Sequence, residues 1–485
     1  GQRDTVQAEP PIALTTSTGT EGVYRGGGQI MTAQQQLNYF RGCVYVRSLH
    51  RVFVPDGDLL DVGQFRATYG GYEFMIEEGN SKGTKNAWEA FTESRSMTFP
   101  RVQDTCFRPE CPPGSVIVEE GRTMVNTYIP AITEIKPGDP ARFLDHIRKM
   151  IPDQHDYEVL MAYMAAVVQY PGVKFQWCPV LIGMEGNGKS LVIRALSHCI
   201  GSRYTHLPNA QDLANKFNSW LQGKLLIGVE EIYTVDRAEF AESLKIMITN
   251  PRQEIQGKGS NQSTGDNRAN FVLCSNHKDA IRKTADGRRY AIFYTAQQEA
   301  GDLERDGMRT DNYFPKLYEW LRAEGYAIVN GYLRSYAIPD ELNPAKYCHD
   351  APRTTSTNAA IMASLGAAEQ DILEEVEMGS PGFAGGWISS VAVTKLMEHK
   401  GRGKTIHRNK RRDMLLALGY IPHPALPDGA VHNYLPEGKP RLYVKKGSIL
   451  VNITAPTEVV RRYLEAQTGA TAAGQAFGGQ QATCK

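Results

Sequence analysis

The sequence predicts an α/β protein built on a central, mostly parallel sheet, preceded by a small mixed α/β module and a helical collar and followed by a winged-helix-like unit. Three observations carry this. An apolar run, Cys178 to Gly183, passes through a glycine loop into LVIRALSHCIG, which has helical period. Further apolar runs at 224–230, 270–276 and 290–294 alternate with helical stretches such as DRAEFAESLKIMIT, the order of a parallel sheet with helical crossovers. Near the C-terminus a helical pattern, a basic turn, a second helical pattern (KRRDMLLALGY) and two β-like runs follow one another.

The elements divide as follows. Residues 1–30 open on Gly1 rather than Met, as expected of a fragment or processed chain, and are Thr/Pro/Gly-rich, so this segment is expected to be disordered. Residues 31–126 alternate short β-type runs (CVYVRSLHRVFV, GSVIVEE) with turn clusters and form the small module. Within it Asp56-Gly57-Asp58 has the spacing of a carboxylate pair, but Pro55 and Gly57 make it a turn. Residues 127–172 form the collar, with stripes of Phe143, Ile147, Met150 and Ile151, then Leu160, Met161, Met164 and Val167. The core spans 173–335 and a helical connector 336–385, in which 379–386 reads as a linker. The winged-helix-like unit occupies 386–453 and a mobile tail 454–485.

Composition narrows the function classes. The 485 residues hold 54 Lys plus Arg against 53 Asp plus Glu, so any nucleic-acid contact must come from local basic patches rather than overall charge. No apolar run reaches the roughly 18 residues of a membrane span and no signal pattern opens the chain, which predicts a cytosolic protein without membrane contact. Eight scattered cysteines, several in apolar runs, fit buried thiols rather than a disulfide framework. Only Cys106 and Cys111 are close, with no second pair to complete a zinc site.

Four groups of residues carry candidate chemistry. GMEGNGKS, Gly183 to Ser190, has glycines that let backbone amides face phosphate oxygens at a helix N-terminus, a lysine for the β/γ-phosphates and a hydroxyl for magnesium. The nucleotide-binding set is Gly183, Gly186, Asn187, Gly188, Lys189, Ser190 and Leu191, with ATP and Mg2+ as cofactors. In KLLIGVEE, Glu230 and Glu231 leave the carboxyl end of a core strand, where open α/β sheets bind ligands. Glu230 joins Ser190 as a metal ligand, and Glu231 orients or deprotonates the attacking water. NFVLCSN places Asn276 at another strand end, suited to positioning water and sensing the γ-phosphate. ADGRRYAIF places Arg288 and Arg289 before a strand, where a guanidinium fork can stabilise transition-state charge, including on a neighbouring subunit.

In this order and compactness the four groups resemble superfamily 3 helicases of the AAA+ class, especially the phage and poxvirus primase-helicases. The resemblance covers roughly residues 135–295; this chain has Glu230-Glu231 where the family carries an Asp or Glu-Asp pair. It implies a ring, usually a hexamer, with ATP between subunits and single-stranded DNA threaded through the centre. It also implies that the stretch LKIMITNPRQEIQGKGSNQSTGDN carries a channel hairpin, with Lys258 at its DNA-gripping tip. A primase or polymerase would be a further partner.

In the C-terminal unit, Lys404, Arg408, Lys410, Arg411 and Arg412 fall in an acid-free basic run that leads into the second helix of the helix-turn-helix, a candidate contact to DNA phosphates, double-stranded DNA included. Tyr434, Arg441 and Tyr443 are candidates for its wing. The expected function is thus an ATP-driven ring helicase of a phage or prophage replication system. Two rivals are an ATP-switched initiator or loader that binds DNA without unwinding, and a small-molecule kinase, for which the acid pair and long hairpin have no use.

Overall fold

The computed structural model describes residues 12–15, 21–24, 30–77, 83–209, 212–213, 219–233, 238–255, 263–281, 287–346, 349–363, 366–403, 406–432, 435–436 and 438–478. The core's elements, numbered along the chain, begin with helices α1 (Ala141–Met150) and α2 (Gln154–Gln169). Strand β1 (Cys178–Ile182), helix α3 (Ser190–Ile200), and strands β2 (Thr205–His206) and β3 (Leu226–Val229) follow. Helix α4 (Ala238–Thr249), strands β4 (Asn270–Ser275) and β5 (Tyr290–Tyr294), and helix α5 (Tyr313–Trp320) complete it.

The five strands lie in the order β2-β3-β4-β1-β5 and every pairing is parallel. Parallel sheets are covered on both faces, which is why β1, β3, β4 and β5 read as apolar runs; β2, Thr205–His206, is the short edge strand. Alternate residues enter opposite cores. Leu181, Leu226, Val272, Cys274, Ala291 and Phe293 face α1, α2 and α3, where Phe143, Ile147 and Leu160 are fully buried. Val180, Ile182, Ile227, Val229 and Leu273 face the other way, with Leu244 and Met247 of α4. Because all strands run the same way, β1, β3 and β4 release Gly183, Glu230 and Asn276 at one edge of the sheet.

The N-terminal module packs Phe40, Phe65, Phe74, Phe91 and Phe99 into an aromatic core between its helices and strands. Asp56 and Asp58 sit in a turn in which Gly57, at φ +91°, donates its N–H to Val54. Arg203 of the core holds that turn through the Asp56 carbonyl at 2.7 Å and Asp58 at 3.0 Å. After the sheet, a helix over Thr357–Ala363 packs on β5. The C-terminal unit is a three-stranded antiparallel sheet (Trp387–Ser389, Leu442–Lys445, Tyr420–Pro422) with helices over Ser390–His399 and Arg408–Ala417. Among the described residues no helix is long and apolar enough to cross a membrane.

Four expectations need correction. In the N-terminal segment, Ile12–Thr15 pairs antiparallel with Glu21–Tyr24; each run is too short to stand out against its Thr/Gly surroundings. The stretch 379–386 is no free linker: Phe383 and Ala384 are buried, and Phe383 shares a core with Ile372, Ile388 and Val393. The helix Ala367–Met378 therefore belongs to the C-terminal unit, which starts before Gly386. The expected mobile tail forms a helix from Pro456, with Val459 and Tyr463 fully buried against Trp387. Their four-residue spacing is a helical stripe, masked by the Ala/Gly/Gln-rich sequence that follows. Tyr443 is core rather than wing, 3% exposed, because it lies on the central strand of the small sheet.

Candidate functional site

Gly183 leaves β1 with its N–H bonded to the Ser275 carbonyl at 3.1 Å. A Cβ there would lie 1.8 Å from Thr295 Oγ1, so no other residue fits. Met184 N–H donates to the Gln297 carbonyl at 2.8 Å. Gly186 and Gly188 turn the chain at φ +81° and +84°, a region open to glycine at little cost. Around Gly186 an added Cβ would meet nothing within 4 Å, so the crown of the loop faces open space. Asn187 is buried and donates from Nδ2 to Thr295 Oγ1 at 2.9 Å. Ser190, half-buried, is the first residue of α3. Leu191 is fully buried, so its side chain serves the core; its N–H donates to the Gly188 carbonyl.

Lys189 ties the site together. Its Nζ lies 2.7 Å from the carbonyls of Gly183 and Met184, 3.1 Å from Asn187 Oδ1 and 3.0 Å from Asn276 Oδ1. Burial pushes its pKa down, because a low-dielectric setting disfavours the charged form. All four hydrogen-bond partners are neutral oxygens. Asn276 is thus joined to the loop across 87 residues of sequence, from the end of the neighbouring strand.

Glu230 and Glu231 are both exposed at the end of β3, next along the same edge, and Ile232 N–H anchors the turn to the Cys274 carbonyl. Arg288 and Arg289 lie elsewhere. They precede Tyr290, which pairs with Cys178 at the entry end of β1, so about 13 Å of strand separates them from the loop of their own chain. Arg288 is exposed, 3.9 Å from Asp350, and the Arg289 carbonyl accepts from Cys178 N–H.

Lys258 lies outside the described residues. The strands that lead to and from it, Arg252–Ile255 and Ser263–Asp266, pair antiparallel as a hairpin. The base of that hairpin is anchored: Asp266 takes Arg108 at 3.1 Å, Arg252 lies 3.7 Å from Glu119, and Arg268 meets Glu110 at 3.0 Å. In the C-terminal unit Lys404 also lies outside the described residues, and Arg408 opens the second helix. Lys410 is exposed. Arg411 is turned inward, donating to the carbonyls of Ile406 and Gly403 and to Thr394 Oγ1. Arg412 pairs with Asp428 at 3.2 Å, which also takes Arg441. The outward-facing basic surface is therefore smaller than the sequence run suggests.

One residue far from the loop in sequence touches it, and a second holds the first. His146 of α1 is fully buried, with Nε2 3.4 Å from the Gly188 carbonyl and Nδ1 2.9 Å from Tyr313 Oη. Burial lowers its pKa to about 4, so it is neutral near pH 7. The signal available in the sequence was a polar residue inside the apolar stripe of Phe143, Ile147 and Met150.

Residues 181–289 match a family of unknown function, DUF5906. That stretch runs from the last two residues of β1 to the arginine pair. The DNA primase-polymerase of Nitratiruptor phage NrS-1 is 22% identical over an alignment of 223 residues that covers 43% of this chain and 29% of that protein, so it spans less than a third of the relative's length. An apo structure of the NrS-1 C-terminal region superposes with a TM-score of 0.55 at 15% identity, covering 81% of this chain and 88% of that one. A second apo structure, an A form of that region, gives 0.53 at 14% identity, over 83% and 96%. What is shared with these structures is the fold. It extends well beyond the family match, over about four-fifths of this chain.

Proposed function

We propose that this chain is an ATP-hydrolysing DNA translocase of a phage replication system, with a P-loop core of the AAA+ type acting in a ring. The observation that carries the reading is Lys189, a buried ammonium whose hydrogen-bond partners are all neutral oxygens, at the head of a helix and beneath an open glycine crown. A buried cation with no carboxylate among its hydrogen-bond partners is costly, and an anionic ligand such as a triphosphate supplies a direct counter-charge. Similarity to a phage DNA primase-polymerase supports the replication setting.

The donors at this edge fit a magnesium-bound nucleotide, with Ser190 and Glu230 as the metal's oxygen ligands. Magnesium bound there supplies neutralising charge at the β- and γ-phosphates. The amides of Gly186 to Ser190 bind the phosphates, and Lys189 leaves its resting carbonyls for the β/γ oxygens. Asn276, released from Lys189, positions the water that Glu231 orients or deprotonates. Arg288 and Arg289 are too far from their own loop and act on the neighbouring subunit's nucleotide. The hairpin over 252–266, with Lys258, grips single-stranded DNA.

The test is ATP turnover with and without single-stranded DNA, with mass by light scattering in ATP. Wild type should hydrolyse ATP as an oligomer and be stimulated by DNA. Lys189→Ala should lose about a hundredfold or more of turnover, and Lys258→Ala should lose the stimulation alone. A monomer whose turnover ignores DNA would sink the translocase reading and favour a nucleotide switch or a transferase.

A further inference from the structure

We propose that His146 and Tyr313 are positioning residues that splint the glycine loop in its phosphate-binding shape. This inference rests on reading the loop as a nucleotide site. Three elements meet at one carbonyl. Gly188, at φ +84°, turns its carbonyl toward His146 Nε2 at 3.4 Å, and Tyr313 Oη lies 2.9 Å from His146 Nδ1. The carbonyl only accepts, so Nε2 carries the ring proton, and Nδ1 accepts from the Tyr313 hydroxyl; one chain of donors runs from α5 through α1 to the loop. Contact is close enough that a Cβ on Gly188 would sit 2.5 Å from His146 Nε2 and 3.0 Å from Phe314.

The other end of the loop is tied to the same helix. Met184 N–H donates to the Gln297 carbonyl, and Gln297 Nε2 donates to the Lys149 carbonyl at 2.8 Å and to Asp306 at 2.6 Å. Ala296 N–H closes the strap on the Met150 carbonyl. Helix α1 thus holds the loop at both ends, although α1, Gln297 and Tyr313 all lie outside residues 181–289. With the Gly188 carbonyl held by His146, the loop's amides stay turned toward its crown, and ordering them is not left to the ligand.

The experiment uses the full chain with Tyr313→Phe, His146→Ala and His146→Gln, reading ATP binding by titration, KM and kcat, melting temperature, and hydrogen exchange of the 184–191 amides without nucleotide. Tyr313→Phe removes one hydroxyl and should weaken ATP binding by about threefold to tenfold, the worth of one hydrogen bond, raising KM more than it lowers kcat and leaving the melting temperature near wild type. His146→Ala should weaken binding further, and His146→Gln, whose amide can still donate to Gly188, should recover part of it. In both Tyr313→Phe and His146→Ala the loop amides should exchange faster. Unchanged exchange and unchanged ATP affinity in Tyr313→Phe and His146→Ala would overturn the proposal. Should wild type bind no ATP, the nucleotide reading fails separately, and exchange alone decides: faster loop exchange in Tyr313→Phe upholds the splint, and identical exchange rejects it.

Discussion

Lys189, Lys174 and His146 are buried polar groups whose environments set their protonation. Lys174 donates to the carbonyls of Met247 and Ala269 and to Asn267, and burial pushes its pKa down to about 7. His146 carries the cleaner pH prediction. Its folded pKa is about 4 against 6.5 in the unfolded chain, lowered by burial first, with Lys149 adding to the shift and the Gly188 contact opposing it. Between those values the unfolded chain binds the proton and the folded one does not, so stability rises with pH across the window and is lost on acidification. The loss should begin near pH 6.5 and reach about 3 kcal/mol by pH 4. Comparing urea midpoints of wild type and His146→Gln from pH 7 to pH 4.5 checks this; parallel pH profiles would show that His146 does not contribute.

Elements differ in how much of their polar chemistry is already committed. In the second helix of the C-terminal unit, Arg411 binds Ile406, Gly403 and Thr394, fastening that helix to the turn and to the helix before it, while Lys410 is exposed one residue earlier. Arg411→Ala should therefore lower the melting temperature of this unit by leaving two carbonyls short of donors, at a cost of about 1–3 kcal/mol. Lys410→Ala should leave the melt unchanged, weaken duplex binding and reduce the salt slope by about 1. The reverse pattern would show the helix packed or presented differently. The paired strands Arg252–Ile255 and Ser263–Asp266 are committed in the same way at their root, Asp266 to Arg108 and Arg252 to Glu119.

At the scale of the whole molecule, the loop and the arginine pair occupy opposite ends of the sheet. A neighbouring copy would bring arginines to each loop, which predicts complementation between defective subunits. Mixing Lys189→Ala, which keeps its arginines, with the Arg288→Ala/Arg289→Ala double variant, which keeps its loop, should yield more ATP turnover than the two assayed apart. Turnover equal to the sum of the separate rates would place the arginines outside the reaction. The N-terminal module is joined to the core by Arg203 through the Asp56–Asp58 turn and to the hairpin root by Arg108, so it is fastened at more than one place.

The parallel core and the edge that gathers Gly183, Glu230 and Asn276 were legible in the sequence, because fully buried strands must be continuous apolar runs and these runs ended on a glycine loop or a polar group. The helical collar was legible for a related reason, its stripes following a 3.6-residue period. Contacts between residues distant along the chain left no such mark. The bond from Lys189 to Asn276, the His146–Tyr313 support, the inward turn of Arg411 and the burial of Val459 and Tyr463 each depend on where two separate segments meet. Periodicity reports which face of an element is apolar; only the packing of those faces decides which polar side chain ends beside which.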